Sequence, residues 1–285
     1  MARVALVVNR DATDLHNDGP PLLDAFERLG IDTDIVGWGS GPDWAGFDGV
    51  VIRNSWDYIF DRDAFLDWAG EVAAVTRLAN SLEVLRWNTD KRYLRDLEAS
   101  GVPIVPTVWI EPGDDLPGVV WDEFVVKPSV SAGARFSARY SRGAEISGHV
   151  RQINAGGAAA MVQPYVGSIE DVGERGTYVF GGRVSHAIAK AAVLSSVRAP
   201  MEDLSASSHQ LVSGTTVEPR VSDFALQVVE SAPPLLYCRV DTVMGDDGEP
   251  ILMELEATEP FLFLEHATSA AADLFAASVR DWLAS

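Results

Sequence analysis

Short apolar runs separated by amphipathic stretches dominate the N-terminal part of the chain. VALVV, from Val4 to Val8, predicts a buried strand, and Pro21 to Leu29 predicts a helix stopped by Gly30. Asp34 to Trp38 and Phe47 to Ile52 predict two further strands, and Asp63 to Val75 a second helix. Strands this uniformly apolar, alternating with helices, imply a parallel sheet covered on both faces. A helix is predicted from Thr89 to Ser100, with Gly101 as its stop and Pro103 beyond it. The pattern then shortens. Strands at Ile104 to Ile110, Phe124 to Lys127, Phe136 to Tyr140 and Ala159 to Val162, with a helix from Glu145 to Ile153, suggest a compact α+β piece. A hairpin over Gly176 to Val184 follows, then a polar stretch, Ser195 to Arg220, with the composition of a mobile loop. Helix Val221 to Glu230, a second hairpin, and a helix from about Glu265 to Leu283 complete the chain.

Composition narrows the classes. A chain of 285 residues, 47% hydrophobic and 22% charged, is globular and long enough for two or three small domains. The net charge of −20 argues against nucleic-acid or anionic-membrane partners, which need a basic surface. It also requires that any phosphate site gather its few lysines locally. The single cysteine, Cys238, lies in the apolar run LLYCRV and fits a buried thiol in a reducing compartment. The N-terminal run lacks a cleavage pattern, and no apolar stretch approaches the roughly 20 residues of a membrane span. The expectation is a soluble, cytoplasmic protein. No G-x-G-x-x-G follows the first strand, which counts against a dehydrogenase.

The stretch from Arg239 to Pro260 carries the most chemistry. It predicts two strands joined at Asp246-Asp247-Gly248. Side chains two apart in a strand share a face, so Glu254 and Glu256 project together, as do Arg239 and Asp241. Pairing can bring Asp241 opposite the glutamates. Carboxylates gathered this way repel unless a cation joins them, and hard oxygen ligands suit Mg²⁺. Alone, the pattern fits a solvated acidic turn as well as a metal site. Two lysines bear on the choice. Lys91 follows Trp87-Asn88-Thr89-Asp90 at a predicted helix start, and Lys127 ends the apolar strand FVVK. Each could instead be a surface lysine. Gln163-Pro164-Tyr165-Val166 reads as a hinge whose backbone could pair with a planar heterocycle, with Glu170, Asp171 and Glu174 as acceptors for hydroxyls. Arg53 to Tyr58 follows the end of a parallel strand, where open α/β sheets bind ligands. There Arg53 could grip a carboxylate between Trp56 and Tyr58, or serve an ion pair within the turn.

In combination, N-T-D-K, V-V-K-P, a small-residue loop, Q-P-Y-V, G-E and R-V-D … M-E-L-E resemble the ATP-grasp superfamily of carboxylate–amine ligases. The resemblance implies an α/β N-terminal domain with a parallel sheet (1–88), a small α+β central or lid subdomain (89–163) and a C-terminal mixed-sheet catalytic domain (164–285). It implies ATP phosphates held by Lys91 and Lys127, and adenine held by Gln163 with the backbone near Tyr165 and Val166. Glu170 or Glu174 would hold ribose. Asp241, Glu254 and Glu256 would carry two Mg²⁺ ions, Arg239 would stabilise the acyl-phosphate and tetrahedral intermediate, and Lys190 would face the γ-phosphate or substrate carboxylate.

V-V-I-R-N-S-W-D-Y, R-W-N-T-D-K-R-Y-L, K-P-S-V-S-A-G-A, S-H-A-I-A-K and M-E-L-E-A-T-E-P are similar to the D-cycloserine-forming, O-ureido-D-serine cyclo-ligase branch. This implies a small amino-acid-like substrate near Arg53, Asn54, Trp56, Tyr58 and His186, ring closure or intermolecular ligation, and a homodimer. A non-catalytic ATP-binding protein is the rival class. The branch commonly reads R-S-T-W-D-Y where Asn54 and Ser55 stand here, and Glu256 replaces the amide of the superfamily's E-x-N.

Overall fold

The computed structural model describes residues 1–194 and 211–285. Three sheets organise the chain. The first contains β1 (Ala2–Val8), β2 (Ile31–Gly37), β3 (Gly49–Asn54) and β4 (Leu78–Ala79), all parallel, in the order β2-β1-β3-β4. Its apolar runs are explained by burial on both sides. Val4, Leu6 and Val8 face a core shared with α1 (Gly19–Arg28) and the C-terminal helix, while Ala5 and Val7 face Phe65, Trp68 and Val72 of α2 (Arg62–Val75).

Residues 89–100 do not form one helix. Helix α3 (Leu82–Asn88), capped by the Ser81 hydroxyl accepting from Val84 N–H at 3.3 Å, is separated from α4 (Tyr93–Ala99) by a turn. The turn is held from outside: Lys91 N–H donates to Ser129 O at 2.8 Å. Both helices pack on the C-terminal sheet through Val84, Tyr93, Leu94 and Leu97.

The small sheet, in the order β5-β8-β6-β7, is antiparallel and comprises β5 (Val108–Ile110), β6 (Glu123–Pro128), β7 (Ala138–Ser141) and β8 (Ala160–Pro164). Helix α5 (Ser147–Ala155) covers one face through Val150 and Ile153. After the short helix α6 (Ser168–Val172), the third sheet contains β9 (Glu174–Phe180), β10 (Arg183–Lys190), β11 (Val212–Thr215), β12 (Tyr237–Met244) and β13 (Pro250–Glu256). Its order is β11-β10-β9-β12-β13, with antiparallel neighbours and one parallel bridge, Ile104 to Leu252. Ser195 to Gln210, most of the expected loop, lies outside the described residues. The rest of that stretch holds β11 and the start of α7 (Pro219–Glu230), and α8 (Ser269–Ala284) ends the chain. No helix of the described residues is long and apolar enough to cross a membrane.

Candidate active site

The β12–β13 register sets the charged face. Arg239 pairs with Glu256 and Asp241 with Glu254. Across β12–β9, Asp241 lies opposite Gly176, and Glu174 pairs with Lys190 on β10. A Cβ at position 176 would lie 3.0 Å from both Arg239 Cδ and Asp241 Oδ1, so this glycine makes room for the pair. Arg239 Nε and Nη2 donate to Asp241 Oδ1 and Oδ2 at 2.7 and 2.8 Å, and Nη2 also reaches Glu256. Lys190 Nζ donates to Asp241 Oδ2 at 2.8 Å and pairs with Glu174. Burial raises the Asp241 pKa, but Arg239 and Lys190 outweigh it and hold the carboxyl down to about 2.

One cavity of about 740 Å³ opens over this face, a size typical of ligand sites. Glu174, Lys190, Arg239, Glu254 and Glu256 line it. The small sheet adds Lys127, Gln163, Tyr165 and Val166; the 89–92 turn adds Lys91, and the N-terminal sheet adds Asn54, Trp56 and Tyr58. The two lysines differ. Lys91 Nζ donates to Ser131 O at 2.8 Å and pairs with Glu254 at 3.1 Å. Among the described residues Lys127 Nζ touches only Met253 Sδ, at 3.9 Å, and burial lowers its pKa to about 8. A half-buried ammonium with no oxygen partner among the described residues fits an anionic group brought by a ligand.

Four expected site residues are placed elsewhere. Arg53 is 0% exposed and lines no cavity; Nη2 donates to Pro260 O at 2.7 Å, and the guanidinium lies over Tyr237 and Phe275. Its guanidinium faces backbone and rings instead of the cavity, because the 257–264 segment covers its strand end. His186 stacks on Tyr178 at 4.2 Å with Nε2 bonded to Leu262 O at 2.8 Å, and burial lowers its pKa to about 4. It is a neutral packing residue. Glu170 lies outside the cavity, with its carboxylate bonded to Arg139 at 2.8 Å and to the Tyr165 hydroxyl at 3.0 Å. Of the two ribose candidates only Glu174 lines the cavity, where it pairs with Lys190.

Asp241 is the fourth. Both its oxygens are bonded to Arg239 and Lys190, so it does not join Glu254 and Glu256 as a free ligand. Among the described residues no group of three acidic, histidine or cysteine side chains is arranged to hold a metal. Glu254 and Glu256 do fit a divalent cation. Burial pushes the Glu256 carboxyl up to about 7, with Asp241 and Glu254 adding to the shift, and a bound cation would relieve this crowding. At the hinge, Tyr165 N–H is occupied by Glu123 O at 3.0 Å and Gln163 Nε2 by Thr107 Oγ1 at 2.8 Å. Among the described residues this leaves Val166 N–H and the Gln163 side-chain oxygen for a heterocycle.

Sequence reasoning missed the supports of the site. Asn88 Nδ2 donates to Leu255 O at 2.7 Å, and its Oδ1 accepts from Ala257 N–H at 2.8 Å and Thr258 N–H at 3.0 Å. Asp18 accepts from Leu262 N–H at 2.7 Å and Leu264 N–H at 3.0 Å. Glu259, another cavity-lining carboxylate, was also passed over. The strand parity that singled out Glu254 and Glu256 ends at Glu256, where β13 ends.

The N-terminal domain model of D-cycloserine synthetase DcsG matches residues 4–80. The cycloserine biosynthesis protein DcsG of Streptomyces lavendulae is 36% identical over 284 residues, 93% of each chain. This chain belongs to the DcsG family. The crystal structure of D-cycloserine synthetase DcsG superposes with a TM-score of 0.88 at 32% identity, over 99% of this chain and 100% of that one. An ATP-grasp RimK domain protein from Sphaerobacter thermophilus shares the fold alone: TM-score 0.69, 16% identity, 98% and 100% covered. The DcsG-family chain described here has the ATP-grasp fold and is a ligase that forms carbon–nitrogen bonds.

Proposed function

We propose that the cavity binds Mg-ATP and a small amino-acid-like carboxylate, and that ring closure of the D-cycloserine type follows within one substrate molecule. The observation that carries this reading is the convergence of Lys91, Lys127, Arg239, Glu254 and Glu256 with the 163–166 hinge on one cavity. Lys127, without an oxygen partner, would receive phosphate oxygens from one side and Lys91 from the other. Gln163 and Val166 N–H would hold adenine, and Glu174 is the acceptor nearest to hand for ribose. Glu254 and Glu256 would hold Mg²⁺, two ions on the family resemblance, which when bound neutralises phosphate oxygens.

The substrate carboxylate oxygen attacks the γ-phosphorus and ADP leaves, giving an acyl-phosphate. The oxygen-bound nitrogen of the same molecule then attacks the acyl carbon, gives up its proton and expels inorganic phosphate, and where that nitrogen carries the carbamoyl of O-ureido-D-serine, water removes it as carbon dioxide and ammonia to leave the free ring. Arg239, fixed by Asp241, would stabilise the oxyanion of that second step, and its forked guanidinium suits a bidentate carboxylate before it. Lys190, also fixed by Asp241, faces the same charge. The test is ATP-dependent phosphate release with O-ureido-D-serine, with product mass read in parallel and hydroxylamine added to trap the acyl-phosphate. Ring closure is expected. Phosphate release that needs a second amino acid, with a condensation product, would replace cyclisation by intermolecular ligation. Mg-ATP binding without phosphate release from any carboxylate would support a non-catalytic protein.

A further inference from the structure

The segment from Ala257 to Leu264 is pinned by buried side chains from other parts of the chain. Asn88 holds the amides of Ala257 and Thr258, Arg53 holds Pro260 O, Tyr178 Oη donates to Phe261 O at 2.6 Å, and Asp18 holds the amides of Leu262 and Leu264. Such anchoring of a chain segment fixes whatever it presents to the cavity. What it presents between two of these anchors is the Glu259 carboxylate, which has no hydrogen bond or ion pair to any described residue. Glu254 has Lys91 and Glu256 has Arg239; Glu259 has neither.

A second orphan lies beside it. Arg53 and Pro260, bonded to each other, lie away from the cavity, whereas their chain neighbours Asn54 and Glu259 line it. Asn54 is 5% exposed; its Nδ2 donates to Leu15 O at 3.1 Å, and its Oδ1 has no partner. Tyr58 belongs to the same wall, and Glu259 is the charged group that acts on its hydroxyl most strongly. The wall therefore offers the Glu259 carboxylate and an aromatic ring, with the Asn54 oxygen shielded from the cavity, and among the described residues no cation is bonded to any of the three. A carboxylate beside an aromatic ring suits an ammonium, whose positive charge both attract. On β13, Glu254 faces Lys91 and Glu256 faces Arg239, and Glu256 is the charge that acts most strongly on Glu259.

The geometry points to Glu259, with Tyr58, as the subsite for the α-ammonium of an amino-acid substrate, and hence as the determinant that restricts the ligase to α-amino carboxylates. This rests on the ligase reading above. An α-ammonium is two bonds from the carboxyl carbon, so it must come to rest beside the group that grips the carboxylate. Arg239 is among the two strongest charges acting on Glu259.

The experiment compares O-ureido-D-serine with 3-(ureidooxy)propanoate, in which hydrogen replaces the amine, for wild type and Glu259→Gln, by ADP release at several Mg²⁺ concentrations. Wild type should prefer the amine by about 1,000-fold or more in kcat/KM, as expected where a polar group of the site would otherwise be left unpaired. Glu259→Gln should lose roughly 100-fold on the amine substrate, so that the preference collapses to within about tenfold, while the KM for ATP stays within about threefold. ATP binding by calorimetry checks that the variant is folded. An equal loss on both substrates, or a loss cured by raising Mg²⁺, would make Glu259 a metal ligand and overturn the inference. A wild type that uses both substrates equally overturns it too, leaving the ligase reading intact; one that uses neither removes both.

Discussion

Arg53 and Arg239 are both buried, at 0% and 4% exposure, and both sit near the same 257–264 segment. Their surroundings are opposite. Arg239 is bonded to two carboxylates at the edge of the cavity, and its pKa is raised despite burial because Asp241 and Glu256 outweigh it. Arg53 forms no ion pair within 4 Å among the described residues; it gives hydrogen bonds to the carbonyls of Pro260 and Ile52 and lies over two rings, and burial lowers its pKa. Its Nε has no partner. The difference teaches that a buried guanidinium becomes a working group where carboxylates orient it and leave it facing a cavity. Where carbonyls and rings enclose it, it holds the fold together.

The largest expected effect lies at Arg239. Replacing the fork by the point charge of Arg239→Lys keeps the charge but loses the bidentate geometry that Asp241 fixes. We expect kcat to fall by about 10³, the loss typical of removing an oxyanion donor, with ATP affinity retained. Steady-state kinetics with calorimetric ATP binding measures both. If Arg239→Lys kept a tenth of wild-type kcat, Arg239 would belong with Arg53 as a structural cation.

Arg53→Met tests the other half. Removing this cation leaves Asp18 buried with only backbone donors and strips Pro260 O of its hydrogen bond. Loss of one member of a buried charge cluster costs about 3 kcal/mol or more. Denaturant unfolding should show that fall, and adding Asp18→Asn should recover part of it. The KM for ATP should move by less than about threefold. A collapse of ATP affinity in a folded, equally stable protein would show that Arg53 works at the site after all.

The two arginines also mark what the sequence could show. Strand parity and the turn at Asp246-Asp247-Gly248 placed Arg239, Asp241, Glu254 and Glu256 on one face, because those relations are local. The parallel sheet was legible for the same reason, in strands apolar on both faces. Arg53 was misread because parity says which residues share a face and not what covers it; the cover is Pro260, 207 residues away. The turn at 89–92 depends on Ser129 O and on Asn88 reaching the 257–258 backbone, and Glu170 is taken by Arg139 from another strand. Ser81, capping α3, was a local signal that went unused. Asp241 reads as a metal ligand until Lys190 arrives from β10 beside Arg239. Competition among partners distant in sequence is what a single sequence leaves out.

Lys127 sharpens the comparison with the smallest effect, because it is a half-buried cation with neither carboxylate nor carbonyl bonded to it among the described residues. Burial lowers its pKa from the ordinary 10.5 to about 8. In the free enzyme it is charged below that pH and neutral above it. If it receives phosphate, kcat/KM for ATP should be level below about pH 8 and fall by roughly tenfold per unit above it, since this ratio reports free-enzyme ionisations. Lys127→Arg, which stays charged, should remove that limb. Stability should move the other way. Between about pH 8 and 10.5 the unfolded chain binds the proton that the folded chain has lost, so this group's contribution to stability rises with pH. A protein that grows more stable while its ATP efficiency declines separates a loss of phosphate binding from alkaline unfolding. A decline in both together would mean that Lys127 is not the titrating group.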